Sequence, residues 1–484
     1  MTFNSWEFLI FFPIVALLYF VLPKRAKWIM LLIASYYFYM FYQADLMFLI
    51  VTTTVISWGA SFIIEKTERI ALRRLMLAVT LIVCLGILFF YKYFNFLAGS
   101  VVSIINLLGG EASPVVLNLI LPVGISFYTF QTLSYVIDVY RGDIKTEKNL
   151  FFYALFVSFF PQLVAGPIER PDNLVPQLKQ AHGFNRDDFI RGGKYMIVGF
   201  FKKIVIADLI SAYVNAVYND VQSATGIGVV IATALFAVQI YCDFSGYTDI
   251  ATGCARMMGI RLMKNFDHPY TATSIKEFWS RWHISLSSWF KDYLYIPLGG
   301  NRCKKWRHLL NIVIVFAVSG LWHGANWTYV VWGLLHGFYQ VVGNLTRKKR
   351  DALIRRIGFS KDSLPVVLVR RLITFVLVGF SWIFFRANNM SEAAVLLTAL
   401  FTNPGSLQTT LGAMGLDLTA ILLCALSIFV LYVIDRLHVY GEEPDGSGML
   451  VRRGAFVYFV WIVFIAWTLL LSKDMVSTFI YFQF

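Results

Sequence analysis

Long apolar runs separated by short polar loops follow one another along the whole chain. A run of about 18 or more apolar residues is long enough to cross a bilayer as a helix. The pattern therefore predicts an all-α integral membrane protein, a polytopic bundle of about eleven or more membrane helices with additional re-entrant and amphipathic segments. The predicted spans are 7–22, 28–43, 46–64, 75–94, 115–138, 195–218, 228–250, 308–343, 368–386, 418–436 and 454–472.

The charges in the loops predict how these spans are oriented. The basic loops are 24–27, 65–74, 141–148, 302–308 and 347–356. Loops rich in Lys and Arg stay on the cytoplasmic side, and alternating spans place all of these loops there. The intervening loops near 43–45, 109–114 and 219–225 carry no Lys or Arg and are expected outside. The same alternation places both termini outside the membrane. The net charge of +14 is thus explained by contact with the lipid bilayer, and no nucleic-acid partner is expected.

Three regions do not fit simple spans. Segment 151–178 begins apolar between two basic flanks, which favours a re-entrant or surface-lying element. Segment 308–343 also starts and ends inside, so it is expected to break near SGLWHGANW, because irregular backbone at membrane depth must be buried in protein or line a cavity. Stretch 275–298 has aromatic residues at helical spacing and predicts an amphipathic helix at the cytoplasmic interface. We expect one membrane domain over 1–484.

Two histidines stand out as candidates for chemistry. His323 lies inside an apolar segment, where ionisable groups are costly and usually functional. His283 lies on the amphipathic stretch, about 40 residues earlier. An imidazole can act as a general base on a hydroxyl, which could then attack a thioester. A packed core histidine is the alternative for His323. Neither a GxSxG nor an HExxH motif is present, and the five cysteines form no CxxC pair, so no metal site is expected.

Other polar residues leave two interpretations open. Asp243 and Asp249 could line a polar cavity, or they could be helix-end residues paired with Arg256 or Arg261. Arg281 and Lys291 could contact a phosphate or pantetheine group of a donor, or they could form a basic face near lipid headgroups.

The chain contains several long motifs with a distinctive composition: FFPQLVAGPIER, QIYCDFSGYTDIATGCARMMGIRLMKNFDHPY, FWSRWHISLSSWFKDYLYIPLGGNR and SGLWHGANWTYVVWGLLHG. These motifs closely resemble those of the membrane-bound O-acyltransferases, in particular the bacterial branch that includes the alginate O-acetylation membrane protein and the D-alanyl transfer protein of teichoic acid synthesis. The strongest likeness covers about residues 120–345.

This resemblance implies a helical bundle around a central funnel in the bacterial cytoplasmic membrane. It implies that His323 is the main catalytic histidine and His283 the supporting one, a place where eukaryotic members often carry Asn or Asp. The predicted substrate contacts are Asp243, Ser245, Arg281, Trp322 and Asn326. Acetyl-CoA is the expected donor substrate, with no bound cofactor, and a partner protein outside the membrane would pass acetyl groups to a surface polysaccharide.

The C-terminal tail 479–484, FIYFQF, resembles the aromatic–tyrosine motif of the small membrane peptide that accompanies the D-alanyl transfer protein. This resemblance implies that Tyr481 carries the acyl group transiently. A covalent relay divides one difficult transfer into two easier steps. The alternative is an aromatic belt at the membrane interface, where Tyr and Phe are common.

Three further hypotheses belong beside acetyl transfer. Within the enzyme class, the chain could transfer D-alanyl or another acyl group from a carrier protein to a cell-wall polymer. A polysaccharide or lipid transporter would share the many spans and polar centre, although the sequence shows no internal repeat. An inert membrane scaffold would keep its function after loss of His323.

Overall fold

The computed structural model describes residues 1–41, 44–164, 166–436, 461–462, 464–468 and 479–480. Every regular element in these ranges is helical, as the hydropathy pattern predicts for an all-α membrane protein. The α-helices are α1 Trp6–Val21, α2 Lys24–Met40, α3 Met47–Lys66, α4 Ile70–Leu88, α5 Phe94–Leu107, α6 Ile125–Arg141, α7 Leu150–Ser158, α8 Phe160–Leu163, α9 Pro171–Lys179, α10 Arg186–Phe200, α11 Asp208–Tyr218, α12 Gly226–Met257, α13 Ile275–Arg281, α14 Ile284–Phe290, α15 Lys305–His323, α16 Trp327–Arg356, α17 Leu364–Arg386, α18 Met390–Thr402, α19 Leu407–Ala413 and α20 Leu418–Arg436.

Several of these helices are long and apolar enough to cross a membrane. Within the described ranges they are Ala44–Lys66, Ile70–Leu107, Gly226–Met257 and Leu364–Arg386. The pair Leu407–Ala413 and Leu418–Ile434, bent by 83°, forms a further span if it is one broken helix. The number of spans and the orientation of the termini stay predictions, and the predicted span 454–472 lies largely outside the described residues.

One predicted span begins too early. Residues 115–124 are not helical, and α6 starts only at Ile125. Pro122 and Gly124 explain the late start: proline disfavours helical backbone in the residue before it, and Gly124 has φ 74°. A Cβ at Gly124 would lie 2.4 Å from the Leu163 carbonyl oxygen, so only glycine fits this turn.

The amphipathic stretch 275–298 is not one helix. The chain breaks between α13 and α14 at His283, where φ is 47°. After α14 the backbone continues as a short π-helix, Lys291–Tyr295. The predicted aromatic face exists, but the left-handed residue divides it into two short helices.

The chain divides into two compact units. The first comprises Met1–Met196 and Thr248–Met263. In it, segment 151–178 forms the short helices α7, α8 and α9 rather than a span. The Phe156 carbonyl, near the end of α7, accepts amide hydrogens from Gln131 and Gln162, both at 2.7 Å. These side chains satisfy a buried main-chain oxygen that the interrupted helix would otherwise leave without a donor.

The second unit comprises Ile197–Tyr247 and Lys264–Phe484, and both candidate catalytic histidines lie in it. Its centre is the hairpin of α15 and α16, which breaks at 324–326 within SGLWHGANW as the sequence predicts. Two glycines let the helices touch. A Cβ at Gly333 would lie 2.2 Å from the Phe316 carbonyl oxygen, and one at Gly320 would lie 2.2 Å from that of Tyr329. This close packing fixes the C-terminal end of α15, where His323 lies.

Candidate active site

His323 is the last residue of α15 and is held among aromatic rings. Its ring centroid lies 4.9 Å from that of Trp332, 5.0 Å from Trp322 and 5.6 Å from Phe385. The residue is 3% exposed. Three edge-on rings restrict the imidazole to one orientation in a dry environment, which suits a group that must meet a substrate atom at a fixed angle.

The structure brings His283 close to His323, although they lie on different helices. Their ring centroids are 6.4 Å apart. This separation exceeds two ring radii plus a hydrogen bond, so the two imidazoles do not bond directly. A small reacting group between them could contact both.

His283 occupies a strained backbone conformation. Its φ of 47° and ψ of 55° are in the left-handed region, which residues other than glycine rarely adopt. Such conformations persist only where the surroundings enforce them, and they are frequent at active sites. Here the restraint is Asn265, whose carbonyl accepts the Ile284 amide at 2.9 Å.

The side chain of Asn265 also determines which nitrogen of His283 carries the proton. Its Oδ1 accepts the main-chain amide of Ser285 at 3.3 Å and the Ser285 hydroxyl at 2.9 Å. An atom that accepts from these donors is an oxygen, so the His283 Nδ1 at 3.1 Å must donate to it. His283 is therefore protonated on Nδ1, and its Nε2 is a hydrogen-bond acceptor.

Burial lowers the pKa of His283 to about 3. His283 is thus neutral throughout the physiological range. An Asn265→Asp substitution places a carboxylate beside Nδ1, and a nearby negative charge raises the pKa of a histidine. If the pKa rises by about three, roughly nine-tenths of His283 is protonated at pH 5.

We therefore expect the acid side of the pH profile of kcat/KM to be steeper in Asn265→Asp than in the wild type, because protonated His283 loses its acceptor nitrogen. Acyl transfer measured between pH 5 and pH 8 tests this. Ser285→Ala is the matched control, since it removes a hydrogen bond to Asn265 without adding charge. Parallel profiles for all three proteins would contradict the assignment of His283 as a neutral acceptor.

His336 provides a contrast within the same unit. Its Nδ1 accepts the Trp279 indole N–H at 3.2 Å. Its Nε2 lies 2.8 Å from the Ser381 hydroxyl, which itself donates to the Val378 carbonyl at 2.7 Å. Both ring nitrogens are thus used in packing, as expected for a core histidine.

Asp243 lies in the middle of α12, not at its end. Its Oδ1 is 2.6 Å from the Lys203 ammonium, and its Oδ2 accepts the Ile480 amide at 2.8 Å. Neither predicted arginine is its partner, since Arg256 and Arg261 both pair with Asp188, at 2.6 and 3.9 Å. The cation that sequence reasoning missed is Lys203, and its signal was a lysine pair inside the apolar run GFFKKIVIADLI.

Two of the predicted substrate contacts already have structural partners. Arg281 pairs with Glu277 at 2.7 Å. Asn326 caps α16 by accepting the Thr328 amide at 3.1 Å, and its own amide donates to the Asn388 carbonyl at 2.6 Å. Contact of either residue with a substrate stays a prediction.

Besides Asp243, Arg281 and Asn326, the predicted contacts Trp322 and Ser245 lie in the interior of the second unit. Trp322 lies 6.0 Å from His283 between ring centroids, which places it beside the histidine pair. Ser245 is buried on α12. Their contact with a substrate stays a prediction as well.

A cavity of about 1130 Å³ opens in this unit between α13, α14, α15 and α16. Its wall carries four basic side chains, Lys276, Lys291, Arg302 and His308. It also reaches Ser319, one helical turn before His323. The cavity is therefore basic on one part of its wall and approaches the histidine pair on another.

Comparison with known sequences gives the family of the chain. The sequence profile of the membrane-bound O-acyltransferase family (MBOAT) matches residues 143–377. The probable alginate O-acetylase of Pseudomonas putida is 36% identical over 505 residues, covering 100% of both chains. The chain belongs to the membrane-bound O-acyltransferase family. This O-acyltransferase carries both of its candidate histidines within the matched region.

Two further relatives of the acyltransferase have names that refer to other polymers. The peptidoglycan O-acetyltransferase of Helicobacter pylori is 35% identical over 423 residues, covering 81% of this chain and 77% of that protein. The teichoic acid D-alanyltransferase of Bacillus subtilis is 30% identical over 242 residues, covering 48% of this chain and 61% of that protein.

Proposed function

We propose that this acyltransferase moves an acetyl group from cytoplasmic acetyl-CoA to Tyr481 and then, through an extracytoplasmic partner protein, to a surface polysaccharide. The observation that carries the proposal is the contact between the C-terminal segment and the histidine site. Phe479 lies 5.9 Å from Phe244 between ring centroids, and Phe244 lies 4.7 Å from His283. Tyr481 lies outside the described residues and follows Ile480 by one peptide bond.

The basic cavity between α13, α14, α15 and α16 supports binding of acetyl-CoA as the acyl donor. Coenzyme A carries phosphate groups at one end and its thioester at the other, joined by a long flexible arm. Lys276, Lys291 and Arg302 offer charges for the phosphates, while the wall at Ser319 brings the cavity close to His323. Arg302 lies in the predicted cytoplasmic loop 302–308, and Lys276 and Lys291 lie on the stretch predicted at the cytoplasmic interface, so the donor would enter from that side.

In the first step, an imidazole nitrogen of His323 takes the phenolic proton of Tyr481. The phenolate oxygen attacks the thioester carbonyl carbon, a C–O bond forms and the C–S bond breaks. The thiolate leaves with the proton returned by the His323 imidazolium. His283, with Nε2 as acceptor, is in a position to orient a hydroxyl in this step.

In the second step, a hydroxyl of the partner protein attacks the tyrosyl ester and releases the phenol. Phenolate is a better leaving group than an alkoxide, so an aryl ester passes its acyl group on readily. The thioester donor itself never has to cross the membrane.

The names of the relatives support acetyl over D-alanyl transfer. A probable alginate O-acetylase matches over the full length of both chains, whereas the match to the D-alanyltransferase covers 48% of this chain. The relatives' names include both alginate and peptidoglycan, so the acceptor polymer has to be identified by assaying acetyl transfer to each of them.

The test is labelling of the purified acyltransferase with radioactive acetyl-CoA. We expect label on the wild-type chain, and none on Tyr481→Phe, which lacks the acceptor oxygen. Tyr432→Phe is the matched control, because Tyr432 lies exposed on α20. Label that persists in Tyr481→Phe would overturn the tyrosyl relay. Label from a carrier-protein thioester, with none from acetyl-CoA, would point to D-alanyl or another acyl transfer instead.

A further inference from the structure

A buried charge cluster lies beside the histidine site and has no chemical step in the proposed acyl transfer. The Lys203 ammonium lies 2.9 Å from Asp208 and 2.6 Å from Asp243, and all three side chains are 2% exposed or less. Lys203 belongs to the π-helix Phe201–Ala207, a geometry that is frequent at functional sites. Gly246 brings α12 against this π-helix, because a Cβ there would lie 3.1 Å from the main-chain nitrogen of Lys203.

The C-terminal segment contributes a hydrogen-bond donor to this cluster. Two carboxylates surround one ammonium, and buried carboxylate oxygens are stable only when donors face them. The main-chain amide of Ile480 is one such donor, at 2.8 Å from Asp243 Oδ2. It comes from a segment 237 residues away in the chain.

The side chain before this amide docks on the same face of α12. Phe479 is fully buried, and its ring stacks on Tyr247 with centroids 4.2 Å apart and an interplanar angle of 27°. Asp243 and Tyr247 are four residues apart and Phe244 and Tyr247 three apart, so they share one side of the helix. That side therefore binds residues 479–480 through the Ile480 main-chain hydrogen bond and through the Phe479 ring, which contacts both Phe244 and Tyr247.

We propose that Asp243 is a positioning residue that anchors the C-terminal segment beside the histidine pair. Lys203 and Asp208 hold its carboxylate, Asp243 binds the main chain at Ile480, and Tyr247 holds the Phe479 ring. The inference rests on the proposed function for the role of the next residue, Tyr481, as acyl acceptor. Asp243 then serves the chemistry through the tail rather than by touching the acyl donor.

The hydrogen bond and the ring contact have separable consequences. An Asp243→Asn side chain keeps an oxygen that can accept the Ile480 amide, whereas Asp243→Ala keeps none. In either variant Lys203 retains Asp208 as its counterion, so the buried ammonium stays paired. Phe479→Ala removes the ring contact and leaves the charge cluster untouched.

Hydrogen–deuterium exchange of the full-length protein in detergent, read on the C-terminal peptide, tests the anchor. We expect exchange at Ile480 to be slow in the wild type and roughly tenfold or more faster in Asp243→Ala and Phe479→Ala, with the α15–α16 peptides unchanged. Asp243→Asn should stay near the wild-type rate. Equal exchange of this peptide in the wild type and in Asp243→Ala would overturn the anchor.

Acetyl labelling of the same variants separates the anchor from the relay. If Asp243 anchors the C-terminal segment and Tyr481 carries the acetyl group, the rate of labelling of Tyr481 falls in Asp243→Ala and is restored in Asp243→Asn. If the wild type carries no label on Tyr481 while Asp243→Ala still releases the tail, the anchor stands and the relay fails. Normal labelling of a released tail in Asp243→Ala would overturn the positioning role.

Discussion

Replacing His323 by alanine is expected to lower kcat for acyl transfer by about 10²–10⁴-fold, the usual contribution of a positioned general base. The remaining protein should fold, because the α15–α16 hairpin is fixed by glycine contacts at 320 and 333 rather than by the imidazole. The measurement is turnover of labelled acetyl-CoA by protein of confirmed thermal stability. The KM for acetyl-CoA should change little, since the basic part of the cavity wall is unaltered.

The control for His323→Ala is His182→Ala in the first unit, where the ring nitrogen bonds the Gln177 carbonyl at 3.0 Å. This variant should retain nearly full activity. A His323→Ala enzyme within about tenfold of the wild type would remove His323 from the role of base.

Replacing Lys203 by methionine is expected to destabilise the protein by about 3–5 kcal/mol, the cost of leaving buried charges without a partner. The Asp208 and Asp243 carboxylates would then lose the ammonium that lies between them. The loss of stability is measured by thermal unfolding in detergent, with the fraction of protein that stays monodisperse as the readout.

The triple variant Lys203→Met, Asp208→Asn and Asp243→Asn removes all the charges of this cluster. It should recover most of the lost stability, because replacing a buried ion pair by neutral groups is often nearly neutral. A single Lys203→Met variant as stable as the wild type would show that the cluster is solvated or protonated rather than ion-paired.

Glycine, proline and ionisable residues in the sequence predict where some of the helices break. The break in 308–343 follows from glycines and an ionisable residue within an apolar run, and the structure confirms it at 324–326. Hydropathy alone misplaces the start of the 115–138 span. Residues 115–124 are apolar, but Pro122 and Gly124 delay the helix until Ile125. The break at His283 could not be predicted, because nothing in WSRWHISL signals a left-handed residue.

The site depends on contacts that periodicity cannot reveal. His283 stands out by its sequence setting, but its distance from His323 follows from tertiary packing. Lys203 and Asp243 are 40 residues apart, and Ile480 is 237 residues from Asp243. Asn265 escapes sequence reasoning because an asparagine in a loop is usually a turn residue. Without the structure, only the resemblance to a known family predicts that His283 and His323 belong to one site.

The backbone at position 283 limits which side chains evolution can place there. At φ 47° a residue branched at Cβ meets its own carbonyl, whereas Asn and Asp are tolerated in this region far better than most side chains. The fold thus limits position 283 by backbone conformation, before chemistry selects among the side chains that a left-handed residue allows.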